Sequence, residues 1–291
     1  MIILENIRYH VKKLEINGKI RPITLYSKKD LIKQKDLYSR YAQLFMEHTH
    51  QSVYSFVHGF SNFDAAAAAC QFAERYIYYI KIDINKYYPS IQRPLLINAL
   101  RGLLPEKDAK RICRYVFCCP SGISEGSPLS PAMSNIYLYD FDEAMTDLPV
   151  TFYLRFCDDI LFLSNIKPKQ LYPYIEDALS NYGLTVSIDK LTIGFVSEGF
   201  HYLGYVIHGS GLSVQPEKVS EIIDKLHAEP NPKKRGQIAN GFKAYYRNPL
   251  LLPICRASIE YLNEFGDDEE ILVFNKYLDS ARDDPFDNDS N

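Results

Sequence analysis

Phe152-Tyr-Leu-Arg-Phe-Cys-Asp158-Asp159-Ile-Leu-Phe-Leu-Ser164 sets two adjacent carboxylates at a tight turn between two apolar runs rich in aromatic, leucine and β-branched residues. That pattern predicts a β-hairpin whose tip pushes paired negative charge outward. Two neighbouring aspartates repel each other, so keeping both ionised calls for a compensating cation. A pair of divalent ions holding a triphosphate is the usual one. Taken alone, the segment is equally compatible with an ordinary Asp-Asp turn facing solvent.

Two further segments frame it. Upstream, Tyr76-Ile-Tyr-Tyr-Ile-Lys-Ile-Asp83-Ile-Asn-Lys-Tyr-Tyr88-Pro-Ser-Ile91 is an almost continuous apolar run that delivers one aspartate. It reads as a buried strand with a single carboxylate at its C-terminal end, stopped by Pro89. Between the two aspartate segments, Ser121-Gly-Ile-Ser-Glu125-Gly126-Ser-Pro-Leu-Ser130-Pro-Ala-Met-Ser-Asn135-Ile-Tyr-Leu-Tyr-Asp-Phe-Asp142 holds a loop of small residues and prolines followed by an apolar-periodic helix. Gly126 and its small neighbours let the backbone approach a flat ligand closely.

In this order, the three segments resemble the palm of a reverse transcriptase, nearest to the bacterial lineage of group II intron, retron and defence-associated enzymes. The likeness extends over most of the chain. Lys19-Ile-Arg21-Pro22-Ile resembles the first fingers block, and Val53 to Phe60 with Asp64 and Ala65 resembles the second. Leu184 to Lys190 resembles the block after the Asp-Asp hairpin, and Phe200-His-Tyr-Leu-Gly204-Tyr-Val resembles the primer-grip hairpin. That last block lacks the Val-Thr-Gly signature of retron enzymes, which argues against a typical retron. The implied fold class is α+β: a right-hand polymerase with fingers and palm, an antiparallel sheet packed by helices, and a small helical thumb.

The resemblance also assigns roles. Asp83 and Asp158 would bridge two Mg²⁺ ions about 3.5–4 Å apart, with Mn²⁺ as a substitute. Asp159 is the third carboxylate, and the backbone carbonyl of Ile84 completes the coordination. One metal lowers the pKa of the primer 3′-hydroxyl, and the other neutralises the triphosphate and leaving pyrophosphate. Mg²⁺ demands oxygen ligands, in keeping with a site of carboxylates and no histidine. Tyr88 takes the sugar-gate position that excludes a ribose 2′-hydroxyl; core packing is its plainer reading. Arg21 resembles the cation that clamps the triphosphate, with Lys19 as helper. Lys190 matches a lysine that protonates the leaving pyrophosphate, although a lone lysine after a strand can equally be an exposed one. Glu125 departs from the family, which usually has glutamine before this glycine. An anion beside a triphosphate costs binding unless a cation pairs it or it faces elsewhere. Cys157 departs too, and is expected to pack rather than react.

Composition sets looser bounds. The 291 residues are 46% apolar, with no apolar run long enough to span a membrane. The opening Met1-Ile-Ile-Leu-Glu-Asn has no basic start or cleavage site, so no signal peptide is expected. The six cysteines show no metal-ligand spacing and are expected to be reduced thiols in a cytoplasmic protein. His48, His50 and His58 lack fixed ligand spacing, so a metal site there is not favoured. The net charge of −3 looks wrong for a nucleic-acid enzyme, but from Glu264 onward ten acids face two bases, which leaves the remainder at +5. Lys28-Lys29, Lys33, Lys35 and Lys233-Lys234-Arg235 are candidate phosphate contacts or solvated faces.

The expected organisation is fingers over 1–75, palm over 76–208, helical thumb over 209–265 and an acidic extension over 266–291 with a disordered end. Thumb helices are expected near 217–228, 233–246 and 253–265. The expected partners are an RNA template in the form of a dedicated non-coding RNA, a DNA or RNA primer and deoxynucleotides, with no membrane. Anti-phage defence is a further expectation. An RNA-dependent RNA polymerase, against which Tyr88 argues, and a catalytically idle RNA-binding scaffold are the alternatives.

Overall fold

A computed structural model describes residues 7–16, 19–209, 211–214, 216–231, 233–236 and 238. The chain divides into two compact units, one of residues 1–203 with 207–210 and the other of residues 204–206 with 211–291.

The first unit opens with an antiparallel hairpin, β1 (Tyr9–Ile16) and β2 (Lys19–Tyr26), followed by helix α1 (Lys28–Glu47). Ser27 caps α1, its hydroxyl accepting from the Asp30 amide at 3.2 Å. Helix α2 (Asn62–Ala73) begins with a reciprocal capping box between Ser61 and Asp64. Its run of five alanines lets it lie close against the sheet, and Phe72 stacks on Phe152 with ring centroids 4.9 Å apart.

The chain continues with β3 (Tyr78–Asp83), a short α3 (Tyr87–Ser90), α4 (Arg93–Leu103) and α5 (Glu106–Val116). Helices α6 (Ser130–Tyr137) and α7 (Tyr139–Thr146) precede the hairpin of β4 (Thr151–Phe156) and β5 (Asp159–Ser164). Then come α8 (Pro168–Ser180), a 3₁₀ turn over Ile188–Lys190, β6 (Thr192–Phe195), β7 (Phe200–Tyr202) and β8 (Tyr205–His208), the last two flanking a turn at Leu203 and Gly204.

The central sheet has the order β4-β5-β3-β6, and every pairing in it is antiparallel. Alternation along β3 sends Ile80 and Ile82 into the core, where both are fully buried, and puts Lys81 and Asp83 on the other face. Leu96, Leu100, Met133 and Ile175 close the core from the helical side.

Two local expectations are corrected. The strand carrying Asp83 is not stopped by Pro89, which lies inside α3; it ends at Asp83, and the chain then turns at Lys86, whose φ of +46° is incompatible with a strand. The single helix expected after the glycine loop is two, α6 and α7, separated at Leu138.

The second unit includes β9 (Gly211–Val214) and α9 (Pro216–Ala228). The expected helix over 253–265, most of that over 233–246 and the acidic extension lie outside the described residues.

Candidate active site

The three aspartates meet at one edge of the sheet because of register. Asp83, the last residue of β3, pairs directly with Asp159, the first of β5, while Phe156 pairs with Asp159 across the hairpin. Only Cys157 and Asp158 remain for the turn. Directly opposed residues share a face of the sheet, and like charges so placed destabilise it. The backbone ties the turn residue Asp158 to the end of the Asp83 strand, since the Ile84 amide donates to the Asp158 carbonyl at 2.9 Å. Burial, then the charges of Asp158 and Asp83, push the Asp159 carboxyl up to about 6.

The Asp83 carboxylate already has partners. Ser187 Oγ donates to Oδ1 at 3.0 Å, and the Lys190 ammonium is hydrogen-bonded to Oδ2. Burial lowers the Lys190 pKa, but the contact with Asp83 and the charges of all three aspartates more than reverse this, so its pKa is raised. Lys190 is brought there because the Ser187 amide donates to the Asp83 carbonyl at 2.8 Å, anchoring the 3₁₀ turn beside the strand end. Lys81, on the same face, donates to the His201 carbonyl at 3.2 Å and also draws the Asp159 pKa down. Among the described residues no three His, Cys, Asp or Glu side chains converge as a metal site. The donor chemistry nonetheless fits hard divalent cations. It consists of carboxylate oxygens, two of them opposed in register, and the cation now on Asp83 is the exposed end of a flexible lysine. Asp83, Asp158 and Asp159, with the Ile84 carbonyl, are the groups that would hold such ions.

The remaining candidates sit on α3, on β2 and in the loop before α6. Tyr88 is half-buried in α3. Burial raises its phenol pKa, and the charges of Cys157, Asp158 and Glu125 add to this. Its backbone carbonyl accepts from the Ile123 amide at 2.9 Å. That approach requires glycine at 122, where φ is +58° and a β-carbon would lie 1.9 Å from the Tyr88 oxygen. Gly126, with φ +108°, permits a second close approach: a β-carbon there would lie 2.4 Å from the Thr24 carbonyl of β2. The loop thereby pairs with β2, the Thr24 amide donating to the Glu125 carbonyl at 2.7 Å. Glu125 is then within 3.8 Å of Arg21 on β2, so the anion has its cation. Lys19 begins β2, and its side chain lies outside the described residues.

Other expectations resolve simply. The described cysteines are free, and the Cys157 thiol is driven up by burial, which suits packing. His48 Nδ1 is hydrogen-bonded to the Leu44 carbonyl at the end of α1, and His50 Nδ1 accepts from Ser52, so both rings serve local structure.

Sequence reasoning passed over the polar layer beneath the hairpin. Arg155 and Asp142 are both 0% exposed and form a forked pair, with Nε to Oδ1 at 2.7 Å and Nη2 to Oδ2 at 2.5 Å. Tyr153 donates to the same Asp142 Oδ1 at 2.5 Å. An arginine inside an otherwise apolar strand was the available signal, since such a charge must be paired.

An antiparallel sheet that brings Asp83 and Asp159 into register at one end, with Asp158 in the adjoining turn, has the layout of a polymerase palm. The chain belongs to the reverse transcriptase family: the family described as reverse transcriptase (RNA-dependent DNA polymerase) matches residues 11–207. No curated protein matches the sequence. Solved structures share the fold. The apo telomerase of Candida tropicalis, truncated of its C-terminal domain, is 15% identical with a TM-score of 0.54, covering 71% of this chain and 55% of that one. Telomerase of Candida albicans in complex with a TWJ fragment of telomeric RNA is 13% identical with a TM-score of 0.54, covering 94% and 59%. The chain thus spans little more than half the length of these telomerases.

Proposed function

We propose that this chain is an RNA-directed DNA polymerase that adds deoxynucleotides to a DNA or RNA primer by two-Mg²⁺ nucleotidyl transfer. Its template is a dedicated non-coding RNA and its setting the cytoplasm of a bacterium, within the group II intron, retron and defence-associated lineage and with a part in anti-phage defence. The observation that carries the chemistry is the cross-strand register of Asp83 with Asp159, with Asp158 in the adjoining turn. Such a concentration of carboxylates destabilises a sheet and is useful to a cation-dependent reaction. When bound, Mg²⁺ would supply charge neutralisation at the triphosphate and acidify the primer hydroxyl.

The protein's own residues do the rest. Tyr88, whose phenol feels the charges of Asp158 and Glu125, supplies the ring that excludes a 2′-hydroxyl. Lys190 keeps its proton at Nζ and is poised next to Asp83, within reach of a leaving pyrophosphate that displaces it from the carboxylate. Glu125 is neutralised by Arg21, which removes the main reason for reading the chain as an idle scaffold.

The test is deoxynucleotide incorporation in Mg²⁺ by protein purified with its RNA, with Asp158→Asn/Asp159→Asn run beside the wild type and the products sequenced. Incorporation by the wild type alone supports the reading and reveals the template. Equal inactivity of both, with RNA still bound, overturns it in favour of a scaffold. Tyr88→Ala should admit ribonucleotides, and an unchanged preference would remove the gate from Tyr88.

A further inference from the structure

Cys157 is the residue before the first hairpin aspartate, and its φ is +59°. A two-residue hairpin turn with φ positive only at its first position asks for glycine there. A side-chain-bearing residue is strained there and stays only if its surroundings hold it. Both backbone polar groups of Cys157 are held. Its amide donates to Ser55 Oγ at 2.8 Å, and its carbonyl accepts from Arg155 Nη1 at 3.3 Å. The two holders are joined through a third residue: Arg155 Nη1 also donates to Asn135 Oδ1 at 3.3 Å, and Asn135 Nδ2 donates to the Ser55 carbonyl at 3.1 Å. The circuit closes on itself through Ser55, Asn135 and Arg155, all buried. Asp142 fixes its far end by gripping the other side of the guanidinium.

We infer that Ser55, Asn135 and Arg155 are positioning residues whose closed hydrogen-bond circuit clamps Cys157 in its strained turn and thereby aims Asp158 at the metal and primer. The inference rests on the polymerase reading for what Asp158 does, although the clamp itself is a property of the turn. Ser55 and Asn135 come from the fingers block and the helix after the glycine loop. The circuit therefore makes the aim of the carboxylate depend on both segments being in place around the hairpin.

The experiment uses the full chain and reads Mn²⁺ affinity by electron paramagnetic resonance titration, together with kcat and KM for deoxynucleotide. Ser55→Ala should weaken Mn²⁺ binding about tenfold, the scale of losses when groups supporting metal ligands are removed, and lower kcat more than it raises KM. Cys157→Gly adopts the positive φ unaided, so Ser55→Ala/Cys157→Gly should return to within about threefold of wild type, while Ser55→Ala/Cys157→Ala should not. Unchanged Mn²⁺ binding in Ser55→Ala overturns the clamp, as does equal rescue by glycine and alanine or rescue by neither. If Ser55→Ala does not fold, thermal melts of Cys157→Gly and Cys157→Ala decide. A strained turn makes the glycine variant the more stable by a few degrees, and the reverse order overturns the clamp. A folded wild type that neither binds Mn²⁺ nor incorporates nucleotide sinks the polymerase reading, and those same melts still judge the clamp.

Discussion

The β4–β5 hairpin handles charge in opposite ways along its length. At the level of Arg155, an acid and a base are withdrawn completely from water, and the carboxylate of Asp142 takes a forked contact plus the Tyr153 hydroxyl. At the tip, only a few residues away, Asp159 feels the charges of Asp158 and Asp83, with Lys190 on Asp83 and the charge of Lys81 also felt. The buried end is balanced within the fold. The tip is not, and it waits for charge from outside. A protein that needed only a stable hairpin would have no cause to build the second arrangement, so the contrast separates the residues that hold the sheet from those that use it.

The contrast breaks most severely if the balanced end is unbalanced. Burial lowers the Arg155 pKa, and Asp142 more than reverses this. Asp142→Ala leaves that cation buried without its partner, which should cost about 3–5 kcal/mol in urea unfolding. Asp142→Ala/Arg155→Met should cost less than either single change, because it removes the stranded charge along with its partner. Additive losses would mean that the pair is not coupled as its geometry says.

The next effect concerns the glycines that let the loop approach β2 and the Tyr88 segment closely. Gly122→Ala puts a methyl group into the Tyr88 carbonyl at a positive φ and should destabilise by about 2–3 kcal/mol. It should also raise KM for deoxynucleotide by moving Tyr88. Gly102, in α4 with open space around it, is the internal control. Its replacement by alanine should stabilise by about 0.5–1 kcal/mol.

At the unbalanced end, substitution should stabilise. Asp159 carries a carboxyl raised to about 6 from an ordinary value of 3.8. As pH rises through that window, the unfolded chain gives up its proton while the folded one retains it, so folding is progressively penalised. Below about 4 both states are protonated and the penalty vanishes. Asp159→Asn in chelator should therefore be more stable than wild type by about 1–3 kcal/mol above pH 6, with no advantage below pH 4. Mg²⁺ should narrow the gap by stabilising the wild type more than the variant. Thermal melts at the two pH values, with and without Mg²⁺, check all three statements.

What could be read from the sequence follows the same division. The tip was legible because its logic is local: alternation, a two-residue turn and adjacent charges all sit within Phe152–Ser164. The strand ending at Asp83 and the loop around Gly126 were legible for similar reasons. The partners were not, because they are far apart in the chain. Asp83 meets Lys190 across 107 residues, and Ser55 meets Cys157 across 102. The Glu125 departure looked like a cost to nucleotide binding until β2 was found bonded to the loop, with Arg21 alongside. The break between α6 and α7 escaped because the apolar periodicity continues across Leu138, which is itself fully buried.

The smallest expected effect lies between the two ends. Tyr202 on β7 is 1% exposed, its hydroxyl has no hydrogen-bond partner among the described residues, and the charge of Asp159 adds to burial in raising its pKa. A buried hydroxyl without a partner costs stability, whereas its aromatic ring repays burial. If the hydroxyl is idle, Tyr202→Phe should be neutral or stabilising by up to about 1 kcal/mol in urea unfolding. If instead it donates to Asp159 once the tip has its cations, the variant should match wild type in chelator and bind Mn²⁺ several-fold more weakly. The first outcome leaves Tyr202 with the residues that hold the sheet, and the second moves the boundary of the site one strand further out.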